Sequence, residues 1–432
     1  MSSDNNDYKI MKPEEFLQHS KKKENTICLV YRGQCVDLTN FKHPGGKFLH
    51  EFNGKDATEY IDVAHYSDKR MKRIINNLTI GKLEDPNILL TDEDKELRLL
   101  ELKYHKLGYY KFKGYSKVLT LSFLYIICGI LSLLKYQFLS SFLLFITTIR
   151  LYVFCHDTLH HANFENFKTG SFIVNLLLFI IVGFFGAPPF HHHAIHHGFT
   201  NVLDYDMDYL GPFQLDIRHK SKSPQWFVKI QGILWFGLVV PLSWWTLWFN
   251  VNEPRAKHTW WKGVLLIIRL LIIYKFSLYY LLIIPSISLA VYLYLAALNH
   301  YHMDKVESVS ERTPYKECIS KYGNPSFVAA MVLPSTSYHS SKFISWITGG
   351  FDYHIEHHLF PNMPSEYLPL IRNDVLKLLK KYNIEYNTTT FLHVVWLNFI
   401  HVMKPYGPTV PGIVPGKVAF YKEDDDNDKK MI

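Results

Sequence analysis

Three histidine clusters carry most of the chemistry that this sequence can offer. Residues 354–358 read His-Ile-Glu-His-His, and residues 193–197 repeat the spacing as His-Ala-Ile-His-His. Residues 156–161 read His-Asp-Thr-Leu-His-His. On a helix these offsets put the imidazoles on one face, with neighbouring Cβ atoms roughly 5–6 Å apart. Neutral imidazole is the commonest metal ligand and suits iron, copper and zinc. Three such clusters, each beside a strongly apolar segment, therefore predict a metal site.

The composition indicates a membrane protein rather than one soluble globule. Aromatic residues make up 16% of the chain and charged residues 20%, and the apolar residues are bunched. The formal charge of +8 comes without a nucleic-acid motif, so it favours affinity for a membrane surface and no nucleic-acid partner. The 5 cysteines form no Cys-x-x-Cys pair, which is typical of a reducing, cytosol-facing protein. The polar N-terminus predicts no cleavable signal peptide.

The apolar segments are expected to place all three clusters on one side of the membrane. Segments 117–134 and 138–155 are each close to the roughly 20 residues that span a bilayer, so they predict a helical hairpin that runs into the 156–161 cluster. Segment 171–187 is interpreted as interfacial or re-entrant, because a full crossing would separate the clusters. Further crossings are predicted at 229–250, where tryptophans form an aromatic belt, and near 277–298.

The N-terminal residues 8–84 resemble a cytochrome b5 domain. A turn is predicted at Arg32-Gly33, and His43 opens the sequence His-Pro-Gly-Gly. Read alone, His43 would be a turn histidine, but a helix start near Asp56 and a second histidine at His65 follow in the order that such domains have. The resemblance implies that His43 and His65 are the axial ligands of a haem b. Two axial histidines leave no open iron position, so this haem would carry electrons and not bind O2.

Residues 110–400 resemble the membrane fatty acid desaturase family, whose histidine boxes match in order, type and topology. The cytochrome b5 fusion, with the motif His-His-Leu-Phe-Pro-x-Met-Pro beginning at His357, is similar to the front-end branch, which also includes sphingolipid desaturases. His161 extends the first box and is a further candidate, either as a ligand or as a residue that supports a ligand. The resemblance implies these metal ligands: His156, His160, His193, His196, His197, His300, His354, His357 and His358.

Some positions depart from the family pattern or fall outside it. Front-end members usually have glutamine where this chain has His354, whereas other desaturases have histidine there. His354 therefore fits metal binding, while the position of the double bond stays open. Asp157 and Glu356 are predicted to orient ligand imidazoles. Three histidines have no counterpart in the family and are interpreted as surface or supporting residues: His191, His192 and His302.

The predicted fold is an α+β cytochrome b5-like haem domain followed by an all-α multi-pass membrane domain. The second part has about four transmembrane helices plus a cytosolic cap. The chain ends in Lys429-Lys430-Met431-Ile432, which resembles a dilysine endoplasmic-reticulum retrieval signal. It predicts residence in that membrane with the active site facing the cytosol. The predicted boundaries are a haem domain at 8–84, a charged connector at 85–116, a di-iron desaturase domain at 117–403 and a tail at 404–432.

The resemblance implies a membrane lipid desaturase with a haem and two iron ions. Such an enzyme uses O2 and electrons from its own haem to remove two hydrogens from adjacent methylenes. The substrate would be an acyl-CoA, a phospholipid or a sphingolipid in the bilayer. The sequence has no Rossmann fingerprint, so a separate nicotinamide-dependent cytochrome b5 reductase is expected. A cytochrome b5-fused lipid hydroxylase would use the same parts. A non-enzymatic haem carrier with a metal-transport region is a further alternative. Transport favours ionisable residues within helices, however, whereas the histidines here lie just beyond the predicted helix ends.

Overall fold

A computed structural model gives the fold of this chain. Its N-terminal part is built on a mixed β-sheet, and the remainder is mostly helical. This agrees with the predicted order of an α+β haem domain before a helical domain. The residues that the structure describes are 8–22, 25–43, 46–66, 68–182, 190–202, 205–206, 224, 226–231, 283–300 and 319–403.

The sheet begins from a tight hairpin. Strands β2 (Cys28–Tyr31) and β3 (Gln34–Asp37) pair antiparallel around Arg32 and Gly33, whose φ angles are 48° and 77°. Two central residues with positive φ form the hairpin turn whose twist matches the strands it joins. Strand β4 (Thr79–Leu83) adds antiparallel to β3, and β1 (Ile10–Met11) adds parallel to β4, so the strand order is β1-β4-β3-β2. The predicted turn at Arg32-Gly33 is therefore present.

Helices cover this sheet, and one of them carries the predicted haem ligand His65, whereas His43 lies between β3 and the following 3-10 helix. The helices are α1 (Pro13–Ser20), α2 (Thr58–His65) and α3 (Lys69–Leu78), with a 3-10 helix between β3 and α2. Helix α2 starts where Asp56 Oδ1 accepts the Thr58 amide at 3.0 Å, as the sequence predicts. His65 is the last residue of α2.

The charged connector forms a helix that is attached to both parts of the molecule. Helix α4 (Asp92–Leu107) occupies part of the charged connector predicted at 85–116. Its Arg98 donates to Glu59 of the haem domain at 2.6 Å, and its buried Asp94 accepts the Phe327 amide at 3.0 Å. Removing one partner of a buried ion pair costs about 3–5 kcal/mol. The connector therefore fixes the two parts relative to each other.

Two helices among the described residues are long and apolar enough to cross a membrane. They are α5 (Gly114–Leu133) and α6 (Gln137–Leu159), which pack as a hairpin around Lys135, whose φ is 64°. Their bounds fit the predicted segments at 117–134 and 138–155. Side chains of α5 are largely unburied, as expected for a helix that faces lipid, whereas α6 is mostly enclosed by other elements.

The third apolar segment is a shorter helix. Helix α7 (Phe167–Leu177) continues as a π-helical turn (Leu178–Val182) and packs on α6. The Tyr125 hydroxyl, midway along α5, donates to the Ile180 carbonyl at 3.2 Å. Helix α8 (Phe190–Gly198) follows. The predicted span at 229–250 lies almost wholly outside the described residues. Near 277–298 the described part forms α9 (Ile284–Ala297), which packs along α6.

The remaining described elements form a cap over the helix ends. Their bounds are α10 (Phe327–Val332), β5 (Ser337–His339), α11 (Lys342–Thr348), α12 (His354–Leu359), α13 (Leu368–Lys381), β6 (Thr388–Thr390) and α14 (Phe391–Met403). Helix α10 is fully buried, although the sequence region 303–348 reads as polar. Strands β5 and β6 pair parallel, and α12 carries the third histidine cluster.

Candidate metal centre

Five imidazoles from all three clusters meet in a first group. The ligand-capable atoms of its members all lie within 4.8 Å of one another. His160 Nε2 is 2.6 Å from His193 Nε2, and His357 Nε2 is 3.2 Å from His197 Nε2. Helices α6, α8 and α12 each end or begin at this point, so they bring residues distant in sequence together. The members of the first group are His156, His160, His193, His197 and His357.

A second group adjoins the first. His196, His300 and His358 form it, with ligand-capable atoms within 4.8 Å of one another. His354 joins them, because its Nε2 is 2.6 Å from His300 Nε2 and 3.1 Å from His358 Nε2. The rings of His197 and His358 stack with centroids 4.2 Å apart, so the two groups touch. The structure thus brings all nine predicted ligands into two adjoining groups.

The chemical state of these imidazoles fits metal binding. Burial, followed by repulsion between neighbouring imidazoles, holds the pKa of His193, His197 and His358 well below the ordinary value. Neutral imidazole is the form that ligates a metal. Several Nε2 atoms face one another, whereas two neutral imidazoles can share only one hydrogen bond per contact. Metal–nitrogen bonds of about 2 Å would satisfy these facing atoms.

Groups outside the clusters hold two of the imidazoles in position. The buried Asp206 carboxylate lies 3.1 Å from His196 Nδ1 through each oxygen, and it also accepts the Asn201 amide at 2.8 Å. His300 Nδ1 lies 2.8 Å from the Pro334 carbonyl oxygen, which accepts its hydrogen. In both residues a fixed Nδ1–H leaves Nε2 as the ligand atom. The sequence alone predicts neither Asp206 nor the Pro334 carbonyl as a partner of a histidine. The only sequence signal is the group of acidic residues near position 206.

The two carboxylates predicted to orient imidazoles behave differently. Asp157 Oδ1 is 3.6 Å from His156 Nδ1, while its other oxygen binds Lys117 at 2.8 Å. Glu356 does not face an imidazole in the described part of the chain, so the prediction for it is wrong. Its carboxylate accepts hydrogen bonds from Ser337 at 3.3 Å and Tyr386 at 2.8 Å. Helix α12 turns Glu356 away from the histidine face, and its hydrogen bonds fasten α12 to β5.

The extra histidine of the first box lies outside both groups. The His161 ring stacks on Phe167 with centroids 4.6 Å apart, and its backbone φ is 60°. Burial, and then repulsion from His65, lowers the pKa of His161 to about 4. His161 therefore stacks on Phe167 at the edge of the first cluster and belongs to neither group. Of the remaining histidines, His302 and the side chains of His191 and His192 lie outside the described residues.

The two predicted haem ligands face each other. The rings of His43 and His65 are perpendicular, with an interplanar angle of 88° and centroids 6.1 Å apart. Two metal–nitrogen bonds of about 2 Å each fit between rings at this distance. The pair therefore suits an iron with two axial histidines.

The helix that carries His65 is docked against the histidine clusters. Helix α2 packs on α8, which carries the second cluster. Aromatic contacts surround this junction: Phe52 lies 6.0 Å from Phe199, and Tyr60 lies 5.1 Å from Phe327, between ring centroids. Tyr205 donates to Glu51 at 2.6 Å. The haem domain therefore sits directly over the metal centre.

Comparisons with known proteins agree with this arrangement. The family described as Fatty acid desaturase matches residues 136–390, and the Cytochrome b5-like Heme/Steroid binding domain matches residues 12–84. Among similar proteins, the Delta(8)-fatty-acid desaturase of Euglena gracilis is 22% identical, over 82% of this chain and 89% of its own. The Acyl-lipid (9-3)-desaturase of Borago officinalis is 24% identical, over 89% and 90%. The Delta(6)-fatty-acid desaturase of Caenorhabditis elegans is 22% identical, over 80% and 88%.

This chain belongs to the fatty acid desaturase family, since the family match covers more than half of it. More particularly, it is a front-end type with an N-terminal cytochrome b5 domain, as the sequence predicted. It is an oxidoreductase that desaturates lipid with electrons relayed through its own haem. The histidine clusters indicate a di-iron centre beside that haem.

A matched pair of substitutions tests the role of Asp206. Asp206→Asn keeps only one acceptor oxygen, although two donors, His196 Nδ1 and the Asn201 amide, converge on this side chain. His196 is therefore expected to lose its fixed orientation. Changes of such outer partners cost about 10–100-fold in metal affinity or activity. We expect that loss in iron affinity and in desaturation, measured on the purified chain. Glu356→Gln neutralises a buried carboxylate that binds no imidazole and is expected to keep iron affinity. Equal losses in both variants would contradict this assignment.

Proposed function

We propose that this enzyme inserts a double bond toward the carboxyl end of a fatty acyl chain. Relatives named Delta(5), Delta(6) and Delta(8) desaturases support that position. The observation that supports desaturation itself is the meeting of all nine predicted ligand histidines beside helix α2 of the haem domain. The acyl chain would be carried on CoA, a phospholipid or a sphingoid base, and relatives named acyl-lipid desaturases favour a lipid carrier.

The proposed ligand set divides over two irons. The first group supplies His156, His160, His193, His197 and His357 to one iron, and the second supplies His196, His300, His354 and His358 to the other. The close approach of the facing Nε2 atoms and their burial support this division. Two irons held there supply the O2-dependent removal of two hydrogens from adjacent methylenes. The chain's own part is to keep the imidazoles neutral and fixed and to exclude water.

The haem ligands are proposed to be His43 and His65, within a haem domain at 8–84. The charged connector at 85–116 and the desaturase domain at 117–403 complete the proposed division of the described chain. The His65 side chain is 33% exposed, which leaves this edge of the haem domain accessible. A separate nicotinamide-dependent cytochrome b5 reductase would deliver electrons there.

Product analysis tests the proposed function. The chain is expressed in a host of known lipid content, and its fatty acids are separated by gas chromatography–mass spectrometry. We expect new acyl species with two hydrogens fewer than their precursors and the double bond on the carboxyl side. Separate analysis of the phospholipid, CoA and sphingolipid pools identifies the carrier. A hydroxylated product without an unsaturated one would contradict desaturation and favour the hydroxylase alternative.

The proposed topology has four crossings, with both histidine groups on the cytosolic face of the endoplasmic reticulum. The contact between Tyr125 and Ile180 supports a re-entrant third segment, because that segment meets α5 at its midpoint. We expect a glycosylation tag inserted after Lys135 to be modified and one inserted after Asn383 to stay unmodified. The readout is the endoglycosidase-sensitive mass shift on a gel. Modification of both tags would contradict this topology.

A further inference from the structure

One buried side chain connects the haem helix to a predicted iron ligand. Asn362 is 8% exposed and follows the third histidine cluster in the chain. Its Nδ2 donates to the His160 carbonyl oxygen at 2.7 Å and to the Asp62 carbonyl oxygen at 3.4 Å. An amide nitrogen has two hydrogens, so one can serve each carbonyl. Asn362 thus joins three elements: α2, the end of α6 and the turn after α12.

Both ends of this connection lead directly to metal-binding residues. On the desaturase side, the His160 side chain belongs to the first group, with Nε2 2.6 Å from His193 Nε2. On the haem side, Asp62 lies one turn before His65 on α2, and its carbonyl also accepts the Tyr66 amide at 3.0 Å. One covalent and hydrogen-bonded path between the two metal regions therefore crosses a single side chain.

Several contacts besides those of Asn362 dock the haem domain. Arg98 binds Asp56 at 3.1 Å and Glu59 at 2.6 Å, and aromatic contacts surround α2. A second asparagine, Asn324, also reaches across the junction, where its Oδ1 accepts the Asp56 amide at 3.1 Å. Asn324 makes no contact with a predicted metal ligand among the described residues. What distinguishes Asn362 is its bond to His160.

We propose that Asn362 is a positioning residue for electron transfer, coupling the haem helix to the His160 backbone through its two hydrogen bonds. This proposal rests on the proposed ligand roles of His65 and His160. In each transfer one electron would leave a ferrous haem held by His43 and His65, and one ferric iron of the pair would take it up. Two transfers balance one turnover. The substrate gives up two hydrogens and O2 takes up two electrons and two protons, so one double bond and two water molecules form.

The test measures electron flow out of the haem in the full-length chain. The haem is reduced anaerobically with a reductase and its nicotinamide, the reductant is removed, and the chain is mixed with O2-saturated buffer. Haem reoxidation is followed by its visible absorbance in a stopped-flow instrument. The same chain stripped of non-haem iron gives the direct reaction of haem with O2. The iron-dependent phase is the difference between these two rates.

Asn362→Leu keeps the size of the side chain and removes both hydrogen bonds. We expect the iron-dependent phase to slow at least about 10-fold, the lower end of the cost of losing an outer contact to a metal ligand. The haem spectrum, the rate of haem reduction by the reductase and the iron content should stay unchanged. Asn362→Gln, which keeps the amide, should recover part of the rate. Asn324→Leu is the matched control and should stay close to the wild-type rate.

Each other outcome overturns the proposal in a distinguishable way. An unchanged rate in Asn362→Leu removes Asn362 from the route. Equal slowing in Asn362→Leu and Asn324→Leu assigns both residues to docking alone. Loss of iron in Asn362→Leu and in Asn362→Gln assigns Asn362 to holding His160 in place. A wild-type chain without an iron-dependent phase overturns the proposed function together with this inference.

Discussion

Replacing His354 with alanine is expected to abolish desaturation and to lower the iron content of the purified chain. The His354 Nε2 atom lies 2.6 Å from His300 Nε2 and 3.1 Å from His358 Nε2, so its removal takes one nitrogen from the second group. Outer-partner changes already cost about 10–100-fold, and loss of a ligand should exceed that range. Iron analysis and product formation in the same preparation measure the effect.

Glutamine at position 354 is expected to give an intermediate result. Its side-chain carbonyl oxygen can coordinate a metal ion, and front-end members of the family usually carry glutamine at this position. His354→Gln should therefore keep a measurable fraction of activity and more iron than His354→Ala. His393→Ala is the control, because His393 pairs with Thr389 at 2.7 Å, away from both groups. Full iron and wild-type turnover in His354→Ala would show that His354 is not a ligand.

The second large effect concerns the haem. His65→Ala is expected to remove the six-coordinate haem spectrum and to stop desaturation driven by a nicotinamide and a reductase. Only His43 would remain on the haem iron, because the facing ring at 6.1 Å is gone. The di-iron centre should keep its metal, since none of the residues in either group is changed. Absorbance spectra and iron analysis of the full-length chain measure both expectations.

His19→Ala is the control for the haem prediction, because it removes a histidine of the same domain, one that pairs with Asp37 at 3.2 Å. It should leave the haem spectrum and the activity unchanged. A six-coordinate haem spectrum in His65→Ala would contradict the axial assignment. Loss of non-haem iron in the same variant would show that His65 also supports the di-iron centre.

Local patterns in the sequence were enough to predict the order of the two parts and two apolar helices. The apolar runs gave α5 and α6 to within a few residues, since a span is defined by length and composition. Histidine spacing placed the imidazoles on helix faces, because i, i+3 and i+4 positions share a face. The order of turn, helix and histidine motifs identified the N-terminal domain. Each of these signals is contained in a short stretch of chain.

Partners from distant parts of the chain could not be predicted. Asp206 has no sequence spacing that links it to a histidine, yet it is 0% exposed and holds His196. The Pro334 carbonyl that fixes His300 carries no signal in its side chain. Arg98 read as one charge among many in a connector, but its carboxylate partners lie about 40 residues earlier. These contacts exist only because tertiary packing brings separate elements together.

Glu356 shows that a local pattern can also predict a contact that the folded chain does not make. A carboxylate within a histidine cluster predicts an imidazole partner, and the spacing offered no means to choose between faces of a six-residue helix. The side chain instead bonds Tyr386 at 2.8 Å and Ser337 at 3.3 Å, both of which follow from how the cap folds over α12.

Metal analysis of the purified full-length chain tests the central claim most directly. The claim is that the two histidine groups hold two irons beside a docked haem. Mass spectrometry of the metals, with haem measured separately by its absorbance, should give two non-haem irons for each haem. Zinc in place of iron, or a single non-haem iron for each haem, would contradict the account.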